Sequence, residues 1–139
     1  MTEEGQAAPA RYDGVDAMLD DARARLTRIG PEQAYAELRS GDAVLVDIRP
    51  VAQRAAEGEV DPELGVLVVE RNVLEWRFDP RSEARLPEAS YGSRVVVLCQ
   101  EGYTSSLAAA SLQSLGIERA TDVDGGFAAW RDAGLPVRG

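Results

Sequence analysis

Apolar residues recur along this chain at two spacings, and the change from one to the other predicts its elements. Val15, Met18, Leu19, Ala22, Leu26 and Ile29 return every three or four positions, which places them on one helical face. Residues 13–29 therefore read as an extra N-terminal helix, with Asp13 as N-cap. Gly30 and Pro31 break it, and Pro31 suits the first turn of a second helix that runs to Arg39 and is stopped by Gly41. From Ala43 onward the pattern shifts to short, nearly continuous apolar runs at 43–48, 65–69, 95–99 and 120–123. Runs of that length between turn residues are buried strands. Helical stretches separate them at 50–57, 72–78, 104–115 and 127–133, the first closed by Gly58 and the third by Gly116. Trp76 and Trp130 fall in such stretches with apolar neighbours, so both are expected in the core. This alternation predicts an α/β domain, residues 30–139, with a central parallel sheet of about five strands and helices on both faces. Residues 1–12 are rich in Ala, Glu, Gly and Pro without periodicity and read as a disordered tail.

Size and charge narrow the function. At 139 residues the chain suits one ordinary domain. Its longest apolar run, Val95 to Cys99, falls far short of the roughly 18–20 residues that span a bilayer. The acidic start, Met1-Thr2-Glu3-Glu4, is the reverse of a secretory signal, so cytoplasmic residence without a membrane partner is expected. A formal net charge of −9 argues against a nucleic-acid partner. There is no histidine, which removes His-assisted hydrolases, most zinc sites and His phosphotransfer. The single cysteine rules out an internal disulfide. Every basic side chain is an arginine, so any anion site must use Arg, backbone amides and hydroxyls.

The segment Cys99-Gln100-Glu101-Gly102-Tyr103-Thr104-Ser105 leaves the most apolar strand, turns through a glycine and enters a helix. Ligands in open α/β sheets bind at the carboxyl ends of strands. There a helix start offers unpaired amides and its positive dipole end. Gly102 supplies a positive φ at no steric cost, and successive amides can then curl into an anion-binding nest. That field favours the thiolate, the reactive form of cysteine. Thr104 and Ser105 add hydroxyls around the same centre. On spacing alone, Cys99 is equally a small buried hydrophobe ending a strand. A phosphatase would place an arginine where this loop has Ser105, so the guanidinium that clamps phosphate is missing.

The same segment resembles the active-site loop of rhodanese-like sulfurtransferases, Cys-x-x-Gly-x-Thr/Arg/Ser-Ser. Asp47-Ile48-Arg49 resembles the family's Asp-Val-Arg after its first core strand. Asp124-Gly125-Gly126-Phe127-Ala128-Ala129-Trp130, with Gly134-Leu135-Pro136-Val137, resembles its closing helix and tail. The likeness spans residues 30–138. It implies covalent transfer: Cys99 takes a sulfane sulfur from a small-molecule donor, thiosulfate or a persulfide, and passes it to a thiol acceptor. Such chemistry needs one cysteine, no cofactor and no metal. The alternative is a rhodanese-fold binding or thiol-sensing module that keeps Cys99 without turnover. The substrate site implied is Gln100, Glu101, Gly102, Tyr103, Thr104 and Ser105. Glu101 would repel a dianionic donor unless it faces solvent. The balancing cation must be arginine. Arg71, after the second strand, and Arg49, after the first, are the candidates, both expected near the carboxyl edge of the sheet; Arg71 is preferred, because the charged Glu70-Arg71-Asn72 stands where the resemblance implies an apolar connection. Each also has a plainer role open to it, Arg49 in a strand-end pair with Asp47 and Arg71 in a surface pair.

Overall fold

A computed structural model describes residues 10–139. Helix α1 (Val15–Ala24) and helix α2 (Pro31–Ser40) precede the first strand, β1 (Val44–Asp47). Then follow α3 (Val51–Glu57), β2 (Glu59–Val60), β3 (Leu67–Val68), α4 (Leu74–Phe78), β4 (Val95–Leu98), α5 (Thr104–Ser114), β5 (Thr121–Asp122), α6 (Gly126–Asp132) and β6 (Val137–Arg138). Short 3-10 turns at Pro62–Leu64 and Arg71–Val73 lead into β3 and α4. No described helix is long and apolar enough to cross a membrane.

Four strands form one parallel sheet in the order β3-β1-β4-β5. The fifth strand expected from the sequence is a single parallel bridge from Ile29 to Val123. It cannot lengthen, because Gly30 and Pro31 open α2 at the next residues. A separate antiparallel pair joins β2 to β6 through Glu59–Arg138 and Val60–Val137. These two-residue strands are too short to carry a periodicity, and the sequence reading passes over them.

Side chains alternate across the sheet as strand geometry requires. Val46, Val95, Val97 and Cys99 join Leu74, Phe78, Ala108 and Leu112, placing α4 and α5 on one face. Leu45, Val96 and Leu98 join Ala34, Phe127 and Trp130, placing α2 and α6 on the other. Trp130 is fully buried. Its indole N–H donates to Pro136 O at 2.9 Å, and the Tyr35 ring meets it edge-on.

Four sequence expectations need correction. The first helix ends at Ala24 rather than 29, and its N-cap is Gly14, with no side-chain cap. Leu19, Ala22, Leu26 and Ile29 are buried as expected, but Val15 and Met18 are exposed; they line a shallow cleft with residues 10–12 and Gly14 instead of the domain core. Trp76 is 60% exposed. Leu74 and Phe78, four residues apart, take the inward face of α4, so a side chain midway between them points outward. Of the expected tail, residues 1–9 lie outside the described residues, while Tyr12 is tied by its hydroxyl to Asp21 at 2.6 Å.

Candidate active site

Strand β4 pairs on both sides, so its carboxyl end lies in the middle of the sheet edge where ligands bind. The residue at that end is Cys99, on the α5 face and 5% exposed. Its Sγ accepts hydrogen bonds from the backbone amides of Gly102 at 3.2 Å and Ser105 at 3.4 Å. The chain doubles back this tightly because Gly102 holds φ at +88°. A Cβ there would lie 2.8 Å from the Gly125 amide and 3.2 Å from Arg28 Nη2.

The loop's carbonyls are held on its outside. Cys99 O accepts from the Phe127 amide at 2.8 Å and Gln100 O from the Ala128 amide at 3.0 Å. Both donors sit in the first turn of α6, where amides have no intrahelical partner. Gly102 O accepts from Arg23 Nη2 at 2.7 Å and from Arg28 Nη2 at 2.8 Å. With the oxygens drawn outward, the amides turn toward the sulfur and form a nest of donors around it. This close approach explains Gly126, whose φ is +62°. A Cβ at that position would sit 2.5 Å from Cys99 O and 2.7 Å from the Gln100 carbonyl carbon.

Cys99 opens into a cleft of about 570 Å³. Gln100, Glu101, Tyr103 and Thr104 line it from the loop, Arg49 from the end of β1, and Glu57 and Arg131 from α3 and α6. Glu101 and Tyr103 are exposed at the rim. Gly102 and Ser105 reach the sulfur through their amides. The Ser105 hydroxyl turns away, contrary to expectation, and donates to Asp122 Oδ2 at 2.7 Å. A buried carboxylate at the end of β5 is a strong, charge-assisted acceptor for that hydroxyl.

The two candidate arginines separate. Arg49 is 1% exposed and fully engaged. It donates to Asp47 Oδ2 at 2.8 Å, to Gly58 O at 3.0 Å and to Gln100 Oε1 at 2.9 Å, and its guanidinium lies 4.2 Å from the Phe127 ring centroid. Asp47 thus sits behind Arg49, and Arg49 both forms the strand-end pair and reaches the loop at the cleft. Arg71 does not line the cleft. It pairs with Glu75 at 2.9 Å, one helical turn on.

Sequence reasoning missed Arg23, Arg28 and Arg131. Arg131 lines the cleft beside Glu57, 3.7 Å away. Arg28 binds Asp122 through Nε at 2.9 Å and Nη2 at 3.1 Å, and Asp124 through Nη1 at 3.2 Å. Burial opposes its charge, but Asp122, Asp124 and the nearby Cys99 outweigh that and raise its pKa. The available signal was Asp122, an acid ending an apolar strand, which requires a cation or donors.

Residues 30–133 match the rhodanese-like domain family. The thiosulfate sulfurtransferase GlpE of Actinobacillus pleuropneumoniae is 30% identical over 112 residues, covering 80% of this chain and 92% of that protein. A solved structure from Rhodopseudomonas palustris, a protein of unknown function described as a possible tyrosine phosphatase, superposes with a TM-score of 0.81 at 33% identity; it covers 95% of this chain and 100% of that one. The polysulfide-sulfur transferase homodimer of Wolinella succinogenes shares the fold, with a TM-score of 0.66 at 24% identity, over 88% of this chain and 85% of its own. The match runs from the residue before α2 to the one after α6, and it takes in both Asp47-Ile48-Arg49 and the whole cysteine loop. The chain belongs to the rhodanese-like domain family.

Proposed function

We propose that this protein is a sulfurtransferase that carries a sulfane sulfur on Cys99. The observation that bears most weight is the Cys99 Sγ held by the amides of Gly102 and Ser105 at the floor of an open cleft. The curated relative named a thiosulfate sulfurtransferase supports the same chemistry. In the first step the Cys99 thiolate attacks the outer sulfur of thiosulfate or of an organic persulfide. A new S–S bond forms, the donor's S–S bond breaks, and sulfite or the parent thiolate leaves with the electron pair. In the second step an acceptor thiolate attacks the terminal sulfur of the Cys99 persulfide, and Cys99 is released as thiolate. Charge and sulfur balance in both steps, and the protein returns to its starting state. The loop amides serve the thiolate and the persulfide anion alike, since both need donors around one negative sulfur. A single cysteine that must remain reduced fits a reducing compartment such as the cytoplasm.

The description of the Rhodopseudomonas palustris neighbour as a possible tyrosine phosphatase is opposed by the loop itself. Ser105 stands where a phosphatase loop has its arginine, and its hydroxyl is committed to Asp122. The test is intact mass after incubation with thiosulfate and, separately, with glutathione persulfide. The expected result is the gain of one sulfur atom, lost again on adding a thiol. Cys99→Ser should take up none and keep its fold, because oxygen and sulfur differ little in size and the hydroxyl stays protonated. A parent protein that both donors leave unmodified, while Cys99 still alkylates, would overturn the reading in favour of a thiol-binding module.

A further inference from the structure

We propose that Arg23 and Arg28, which precede the matched family region, are positioning residues of the Cys99 loop that aim one of its peptides at an anionic donor. The proposal rests on the reading of Cys99 as the reacting group, and the geometry is specific. Two guanidinium groups converge on one carbonyl oxygen, Gly102 O, at 2.7 and 2.8 Å. Each is anchored elsewhere: Arg23 Nε on the Ser106 hydroxyl at 3.0 Å, and Arg28 on Asp122 and Asp124. The Ser106 and Ser105 hydroxyls both donate to Asp122 Oδ2, so one buried carboxylate ties the arginines to the first turn of α5. Arg23 also lies over the Tyr103 ring, 5.7 Å from its centroid.

A trans peptide points its C=O and N–H in opposite directions. The oxygen of the Gly102–Tyr103 peptide faces the arginines, so the Tyr103 N–H faces away from them. Among the described residues no protein acceptor takes that N–H. Two cations on the oxygen polarise the peptide and strengthen the donor at its other end. They also place positive charge behind a loop whose own charged side chain is Glu101. Besides Arg49 and Arg131 on the cleft wall, two cations outside the family match thus act on an anionic donor through a peptide rather than by touching it.

Charged groups around the loop are Arg23, Arg28, Asp122 and Asp124 behind it, Glu101 on it, and Arg49, Asp47, Glu57 and Arg131 across the cleft. The test compares Cys99 alkylation by iodoacetate, an anion, with alkylation by neutral iodoacetamide. Both rates scale with the thiolate, so their ratio reads the field an incoming anion meets and is independent of any sulfur transfer. In Arg23→Gln the iodoacetate-to-iodoacetamide ratio should fall by about fivefold, and Arg23→Lys should recover most of it. Arg25→Gln, on the same segment but paired with Asp21 at the surface, should leave the ratio unchanged. Equal slowing of both reagents in Arg23→Gln would mean a merely displaced loop and would overturn the proposal. So would an unchanged ratio in Arg23→Gln, or an equal drop in Arg25→Gln. Absence of persulfide in the parent would instead defeat the sulfurtransferase reading while this ratio stayed measurable.

Discussion

Strands β1 and β3 of the same sheet each hand the chain an arginine near their carboxyl ends, and the two arginines end up in opposite situations. Arg49 is buried, bound to Asp47 and Gly58 O, and touches the cysteine loop through Gln100. Arg71 is about a third exposed, meets only Glu75 among the described residues, and stays out of the cleft. Strand order makes the difference. Neighbouring strands lie roughly 4.8 Å apart, so β1, beside β4, delivers its arginine next to Cys99, whereas β3 on the far side of β1 is roughly 10 Å away. Being at the carboxyl edge of a parallel sheet is not sufficient; a residue must also stand on a strand adjacent to the reacting one.

The strongest way to break this contrast is to remove each arginine's partner. Asp47→Asn leaves a buried guanidinium without its counter-charge and should destabilise the protein by about 3–5 kcal/mol. Glu75→Gln, at a pair about a third exposed, should cost less than about 0.5 kcal/mol. Chemical denaturation of both variants decides it, and similar losses would mean that Arg49 is no more deeply committed than Arg71.

A second variant sharpens what holds the central connection in place. Gly126→Ala puts a methyl group against Cys99 O and the Gln100 carbonyl, at a φ of +62° that side chains rarely adopt. The strain should cost about 1–3 kcal/mol. Because the clash falls on the carbonyls that set the amide ring, persulfide formation should slow by about tenfold or more. Gly65→Ala, before β3, also has a positive φ but open space around it. It should lose stability through strain alone and keep its rate of persulfide formation, as measured by quenched intact mass.

The same contrast shows which parts were legible in the sequence. Strand and helix positions could be read because burial imposes a period on them, and Cys99, Gly102 and the Asp47–Arg49 pair are local features of one loop or strand end. Strand order is not local. Nothing near Arg71 records that β3 is an edge strand, so the sequence favours Arg71 over Arg49, the reverse of what strand order delivers. Arg23 and Arg28 were invisible for a related reason. They lie more than seventy residues from Gly102 in the chain, in a stretch whose periodicity speaks only of helix packing. The apolar neighbours of Trp76 predict a core position for it, but only Leu74 and Phe78 lie on the buried face of α4.

The smallest expected effect tests the edge arginine itself. Arg71→Ala should leave the rate of persulfide formation unchanged, since Arg71 neither lines the cleft nor touches the loop. Its consequence should appear at Glu75 instead. Burial pushes the Glu75 carboxyl upward, but hydrogen bonds from Arg71 and from neighbouring groups override this and hold it below its ordinary value. A carboxylate whose pKa is depressed on folding contributes stability above its unfolded value, about 4.3, and that contribution disappears as the pH falls through the folded pKa. Without Arg71 the burial effect loses its main opponent, so the Glu75 pKa should rise. Both side chains are about a third exposed, and solvent limits the pair to about 0.3–0.5 kcal/mol. The variant should therefore be less stable than the parent by that amount at neutral pH, and the difference should vanish once Glu75 is protonated in both. Denaturation midpoints across an acid pH series, with an NMR titration of the Glu75 carboxyl, check the two halves separately. A loss of persulfide formation with no change at Glu75 would put Arg71 back at the site and undo the comparison with Arg49.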